Sequence, residues 1–351
     1  MLIPSDSLRE LVTEIFAAAG CSLVEASTVA RHLIESDLAG HPSHGVVRVP
    51  GYVESVADGR LVPGQSISIV TEGESLAVVD GGYGFGQTVG GEAVALGIAK
   101  AREQGVAAVG LRHSGHLGRI SDWADLAARA DLVSIHFVNV AGSRLVAPFG
   151  SKERRFGTNP IAIGVPQPGD RPLLIDFATS VVAEGKARVA LNGGAPVPDD
   201  ALVGPDGVST GDPLVLYGET EEGVLPNSQA GPGALRAMGE QKGSALALAC
   251  ELLAGVLTGS GTANADRFCN GMLSIYLSPN HFAAQGFSDE VEDFVNHVRR
   301  ATPLDEGGTV VVPGDLERQR RVRQLAQGID LADGTWVQLG ATASRLEVAL
   351  P

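Results

Sequence analysis

The spacing of apolar positions along the chain changes twice, and the changes divide it. Near the N-terminus, Leu8, Leu11, Val12, Ile15 and Phe16 recur at helical intervals, and Gly20 is placed to stop that helix. A second stripe, Val29, Leu33 and Leu38, runs to Gly40 behind "SLVE" (Ser22 to Glu25), which has capping-box spacing. Val46, Val49, Val53 and Val56 predict a third helix, bent or interrupted by Pro50. From Leu76 the pattern shortens to β-like runs. "LAVV", "VAAVGL", "VSIHFVNV", "IAIGV" and "LLIDF" read as mostly buried strands, with helices over Val89 to Ala101 and Ser121 to Ala130 between them. Asn192 to Gly239 is rich in Gly, Pro and Asp and has no period. So long an irregular stretch is usually functional or mobile, for instance a cover over a site. A buried helix around Leu246 to Leu257 and a strand, "MLSIYL", follow. Helical patterns return at Ser288 to Arg300, Asp315 to Gln327 and Thr335 to Leu346. The expected fold is α/β with two lobes: residues 1–75 and 285–351 as a helical lobe, with an α/β lobe over 76–284 inserted between them.

Composition changes this picture little. The 351 residues are 44% hydrophobic and 19% charged with 46 glycines, which fits a globular α/β enzyme of about two lobes. The net charge of −15 weighs against a nucleic-acid or anionic-membrane partner, and it obliges a small acidic substrate to find a local arginine or histidine. Cys21, Cys250 and Cys269 lack metal-type spacing and are odd in number, so reduced thiols in the cytoplasm are expected. The N-terminus has no secretory pattern, and the longest apolar stretch, Gly243 to Gly259, is broken by Glu251 and too short to span a membrane.

Three segments bear on chemistry. "GGYGFGQTVGG" follows the run at Leu76 and suggests a dinucleotide-binding turn. The Rossmann fingerprint fails, however: counting from Gly84 its third position is Val89, and from Gly82 it is Gln87. A tight glycine turn between strand and helix is the favoured reading over a pyrophosphate site.

The histidines fall into two pairs of equal spacing, His41/His44 in "GHPSHGVVRV" and His113/His116 in "LRHSGHLG". They could supply imidazoles to a zinc or iron site with Asp176 as a further ligand, making a metal-dependent hydrolase or lyase. Alternatively one histidine serves as an acid–base group, and the others are ordinary loop histidines. Ser43 precedes His44, and Arg48 lies four residues on, sharing a face if a helix begins by Gly45. A proton donor beside a guanidinium suits a 2-oxo or 2-hydroxy acid, whose carboxylate the arginine would grip in bidentate fashion. "LLIDFATSVVAEGKA" places Asp176 at the end of a buried run, where it needs a partner such as a histidine. "ATS" offers hydroxyls and N–H groups at a helix start for phosphate, with Lys186 and "QKG" (Gln241 to Gly243) nearby in sequence.

Together the segments resemble the malate/L-lactate dehydrogenase family of NAD(P)-dependent oxidoreductases, which is unrelated to the Rossmann lactate and malate dehydrogenases. The matching pieces are "SHGVVRVPGYV", "GHLG", "GTNPIAIGVP", "IDFATSVVAEGK", "KGSALALACELLAGVLTG", "VPGDLE" and "GIDLADGTW", in the family's order from about Leu8 to Leu346. The resemblance implies a family-specific, non-Rossmann NAD(P)-binding fold with a mixed sheet, and a homodimer with its active site near the subunit interface. The cofactor is NAD or NADP with no metal. The substrate is a small anionic 2-oxo or 2-hydroxy acid, or a related cyclic imino acid as in piperideine-2-carboxylate reductases. It places the proton-transfer histidine at His44, supported by Asp176, with His116 holding that role in some relatives. Ser43, Arg48, Thr158 and Asn159 fall at the substrate. Asp176, Phe177, Ala178, Thr179, Ser180, Lys186, Lys242, Gly243, Gly314 and Asp315 fall at the cofactor. The segment before Lys242, usually glycine- and tyrosine-rich in relatives, here reads "AMGEQKG" with Glu240 and Gln241 near the expected cofactor, and "VPGD" carries Asp315 where glutamate is usual.

Overall fold

In a computed structural model that describes residues 1–169, 171–220, 225–282 and 285–351, the chain gathers its apolar side chains into three main cores. In order, the first half runs β1 (Leu2–Ile3), α1 (Ser5–Ala18), α2 (Leu23–Leu38), α3 (Val49–Ala57), β2 (Ser68–Glu72), β3 (Leu76–Asp80), α4 (Gly86–Gln104), β4 (Val106–Ser114), α5 (Ser121–Ala128), β5 (Val133–Ala141), β6 (Val146–Ala147), β7 (Ile161–Val165) and β8 (Leu173–Phe177). The second half runs α6 (Glu184–Leu191), β9 (Leu202–Val203), β10 (Ser209–Thr210), α7 (Leu214–Tyr217), β11 (Ala234–Arg236), α8 (Gln241–Cys250), β12 (Cys269–Leu277), α9 (Phe287–Arg299), α10 (Asp315–Gln327), β13 (Ile329–Asp330) and α11 (Asp333–Arg345).

The first core joins both chain ends. Leu8, Val12, Ile15 and Phe16 of α1 pack with Leu33 of α2 and with Leu339 and Ala343 of α11, and β1 pairs antiparallel with β13. The cap of α2 is half of a box: Ser22 Oγ accepts from Glu25 N at 3.3 Å, but the Glu25 carboxylate instead accepts from Gly64 N. Pro50 does not interrupt a helix. The chain makes two 3-10 turns, Pro42–His44 and Val46–Arg48, and α3 starts at Val49 with Pro50 in its first turn, where its missing N–H has no intrahelical partner to lose.

The second core lies under a seven-stranded sheet ordered β2-β3-β4-β12-β5-β7-β8. Only β3 and β4 run parallel, joined across α4; every other neighbouring pair is antiparallel. This mixed sheet is not a Rossmann sheet, whose strands are mostly parallel. β2 joins the sheet from within the segment expected to be helical.

The third core corrects the reading of residues 192–239 as irregular. Strands β9, β10 and β11 pair with β6 in a four-stranded sheet, closed by Leu202, Leu216, Tyr217 and Leu235. Strands of two or three residues between glycines are too short to show an alternation. Residues 221–224 of that stretch lie outside the described residues. After α8 the chain continues as a π-helical turn, Glu251–Val256. Among the described residues no helix is long and apolar enough to cross a membrane.

Candidate active site

The first histidine loop is shaped by a buried acid. Asp37, near the end of α2, is 3% exposed and accepts from Val46 N at 2.9 Å, which holds the two 3-10 turns against the helix. Burial pushes its carboxyl up to about 8. Because Gly45 is extended rather than helical, His44 and Arg48 do not share a helix face. They nevertheless line one cavity of about 410 Å³, with His116 and Thr158.

The second loop is seated on the glycine turn. Tyr83 N donates to His113 O, Gly81 N to Arg112 O and Gly115 N to Gly84 O. A Cβ on Gly86, at the start of α4, would sit 2.3 Å from His116 O and 2.6 Å from its carbonyl carbon. The glycines of "GGYGFGQ" therefore let a helix start lie directly against the His116 backbone. They position a histidine, and residues 81–86 line neither the His44 cavity nor its larger neighbour.

The two imidazoles stack, centroids 5.6 Å apart and planes within 17°. His44 Nδ1 pairs with Ser43 Oγ at 2.9 Å, and His116 Nδ1 pairs with the Tyr52 hydroxyl at 2.5 Å. That hydroxyl also accepts from Gln87 Nε2 at 3.2 Å. Burial, with Arg48 adding to it, lowers His116 to about 3. Burial, then His116 and the cation at Arg48, push His44 well below the usual imidazole range. Both rings are neutral at pH 7.

Arg48 is engaged by the protein itself. Its Nε donates to Ser43 O at 2.7 Å and its Nη1 to Glu184 at 2.9 Å, so the full fork is not open to a carboxylate. Glu184 begins α6, and Gly185 beside it admits the loop: a Cβ there would lie 2.6 Å from Ser43 O and from Arg48 Nη2. Tyr217 donates to Glu184 Oε1 at 2.6 Å, and Arg188 lies 3.4 Å from the same oxygen. Burial alone would raise Glu184, but Arg188, Arg48 and Tyr217 outweigh it and settle the carboxyl at about 2.

Several expected residues stand elsewhere. Ser43 is buried beneath the loop and reaches the site through His44. Asn159 is fully buried and donates to Ala247 O and Glu251 while accepting from Val140 N; it braces Thr158 rather than lining the cavity. Asp176 does not partner His44. Its Oδ2 accepts from Ser121 N at 2.8 Å, and burial raises its carboxyl.

Asp176 and Gly314 instead line a second cavity of about 680 Å³, with His41, Arg119, Arg171 and Arg318. Arg31, Arg129 and Arg321 bring its arginines to six, against Glu35, Asp122, Asp125, Asp176 and Glu317. One chain segment walls both cavities: Gly118 and Ile120 face the smaller, Arg119 and Ser121 the larger. Arg119, Arg129, Arg318 and Arg321 are each paired with a carboxylate, and in size the cavity fits a nucleotide.

"ATS" does not open a helix. Six residues separate the end of β8 from α6, and Thr179 and Ser180 are buried, their hydroxyls donating to Thr158 O and Val182 O. Phe177 and Ala178 lie half-buried between Asp176 and these residues. Gly243 packs under Thr179 O and Met238 O, and Lys242 and Lys186 are exposed on first turns of α8 and α6. The Asp315 carboxylate is taken by Arg299, Arg318 and Val312 N.

The four paired histidines do not converge. His41 faces Glu317 at 3.4 Å and His113 faces Asp80 at 2.9 Å, and among the described residues no three His, Cys, Asp or Glu side chains gather as a metal site. Tyr52, Gln87, Glu184, Arg188 and Tyr217 were not anticipated. Of these only Glu184 and Arg188 carry a sequence hint, an i,i+4 charge pair in "EGKAR".

A family model described as malate/L-lactate dehydrogenase matches residues 3–340. Hydroxycarboxylate dehydrogenase B of Escherichia coli O157:H7 is 40% identical over 95% of this chain and 91% of its own. A delta(1)-pyrroline-2-carboxylate/delta(1)-piperideine-2-carboxylate reductase of Pseudomonas syringae pv. tomato is 33% identical over 93% of this chain and 91% of its own. Among solved structures, malate dehydrogenase from Pyrococcus horikoshii OT3 superposes with a TM-score of 0.86 at 26% identity, covering 100% of this chain and 97% of that one.

Proposed function

The chain belongs to the malate/L-lactate dehydrogenase family of oxidoreductases, and from that premise we propose that it reversibly transfers hydride between NAD(P) and a small acid. The acid is a 2-oxo/2-hydroxy acid or a related cyclic imino acid. The carrying observation is the stacked, neutral His44–His116 pair beside Arg48 in one cavity. The family implies a nicotinamide cofactor, which supplies or accepts the hydride at C2 of the substrate when bound. The larger cavity, with Asp176, Gly314 and its six arginines, would hold that cofactor.

Within the smaller cavity the protein's task is to place the acid and move one proton. Arg48, with its Nη2 free of hydrogen-bond partners among the described residues, and Arg188 draw the substrate carboxylate into the cavity against a net charge of −15. His44 Nε2 faces the substrate oxygen while Nδ1 rests on Ser43 Oγ. A serine hydroxyl donates to a neutral ring or accepts from an imidazolium, so His44 can cycle between the two states without losing its partner. Tyr52 accepts from Gln87 and, when it gives its proton to His116 Nδ1, holds that ring as a neutral Nε2–H donor to the same oxygen. His44, at the position the family resemblance implies for proton transfer, is the acid–base group. The carboxylate of an arriving substrate favours the imidazolium that the reducing direction needs.

The reading includes a homodimer, supported by Leu248, Leu252, Val256 and Leu257, which leave an apolar face of α8 and its π-helical extension exposed. It includes a cytoplasmic location, supported by three free, buried thiols. His44→Ala tests the catalytic assignment. Turnover should fall by about a hundredfold or more while NAD(P)H affinity is retained; lost cofactor binding with normal turnover per bound enzyme would contradict it.

A further inference from the structure

Glu184 occupies a position that a pocket for an anion would ordinarily leave to cations. Its carboxylate, with a side chain only 10% exposed, stands between Arg48 at 2.9 Å and Arg188 at 3.4 Å, fixed from behind by Tyr217. All three charged groups line the cavity that holds His44. The remaining charged lining residues are Arg60 and Glu54. Arg60 is itself paired with Asp58 at the exposed rim, 2.8 Å away.

With Arg60 so neutralised, two guanidiniums face two carboxylates, and Arg48 Nη2 is left to meet one substrate carboxylate. A second acid group on the substrate would have to compete with Glu184 for Arg48 or Arg188. It would share a partly desolvated cavity with ionised Glu184, where like charges several ångströms apart repel strongly. The rest of the wall is mixed: Val138, Leu145 and Phe268 are apolar, while Thr158, Asn227 and Asn270 are polar but uncharged, so none of them neutralises a second acid group. A volume of about 410 Å³ leaves room for a side chain longer than a methyl group.

We propose that Glu184 is a specificity-determining residue, which by engaging Arg48 and Arg188 restricts the site to monoanionic 2-oxo acids and disfavours dicarboxylates and sulfonates. This rests on the oxidoreductase reading above. Replacing the carboxylate by an amide keeps the shape, frees an arginine and adds one positive charge to the lining.

The test compares wild type and Glu184→Gln, each saturated with whichever of NADH or NADPH binds, on 2-oxovalerate (monoanion) and oxaloacetate (dianion). Wild type should favour 2-oxovalerate in kcat/KM, and the variant should shift the ratio toward oxaloacetate by about tenfold or more. General loosening of the site would slow both substrates and leave the ratio unchanged, which would overturn the proposal. Oxamate and oxalate, equal in shape and different by one charge, give a second reading on wild type alone, which decides the matter if the variant does not fold. Oxamate should inhibit more tightly, and preference for oxalate overturns the proposal. If wild type turns over none of these acids nor a cyclic imino acid, the functional reading fails and this inference with it. Turnover with a dianion preference sinks only the inference.

Discussion

Gly86→Ala distinguishes a glycine turn that seats His116 from one that binds phosphate. An added Cβ would lie 2.3 Å from His116 O, 2.6 Å from its carbonyl carbon and 2.7 Å from Leu117 Cα. Optimal non-bonded separation is about 3.5 Å, so the His116 peptide must retreat by roughly 1 Å. Both partners are backbone, and no rotamer change relieves them. Overpacking of this kind costs about 1–3 kcal/mol of stability. A catalytic group displaced by about 1 Å can lose a hundredfold in rate. The expected result is kcat down by about a hundredfold at saturating substrate, with NAD(P)H affinity changed by less than about threefold. Gly91→Ala is the control, since its Cβ meets only Trp123 Cζ3 at an ordinary 3.7 Å in the same helix. Calorimetric titration and initial rates at 340 nm report the two quantities separately. A Gly86→Ala enzyme that loses cofactor affinity but turns over normally once saturated would refute the reasoning.

Two further predictions follow from the buried polar groups. Tyr52→Phe leaves His116 Nδ1 and Gln87 Nε2 without their shared partner. It should lower kcat about tenfold with little change in KM, and an unaltered kcat would show that the hydroxyl does not orient the ring. Stability should fall as pH drops below about 6.5, the ordinary histidine value. His116 and His136 are each lowered to about 3 and His44 is also depressed, so the unfolded chain takes up protons that the folded one excludes. Asp37, raised to about 8, opposes them: its folded form keeps a proton that the unfolded carboxyl loses above about 3.8. Asp176 and Glu25, whose carboxyls burial also raises, oppose in the same sense, while Glu184 and Glu317, each lowered to about 2, deepen the loss below about pH 4.5. Urea midpoints at pH 6.5 and 4 check the sign, and a flat profile would contradict it.

What the sequence disclosed follows the range of the forces involved. Long amphipathic stripes such as Leu8 to Phe16, and buried runs such as "VSIHFVNV", announce themselves because period and burial are local properties. The strands β9 to β11 stayed hidden because two or three residues carry no period, and their core closes through side chains far apart in sequence. The histidine pairs drew attention by spacing, and His44 and His116 do meet, while His41 and His113 turn to separate carboxylates. A proton partner for His44 was sought in Asp176, over a hundred residues away, when the adjacent Ser43 supplies it. Glu184 sat inside a segment quoted for its glycine and hydroxyls. Only folding, which brings α6 against the 3-10 turns at Gly185, shows that it faces Arg48.

The central claim is that this chain works on a nicotinamide cofactor, and one measurement tests it without any guess about substrate. Purified, chelator-treated protein is titrated calorimetrically with NADH and, separately, with NADPH. The account predicts saturable binding of at least one of them, retained in His44→Ala. Binding of neither would contradict it.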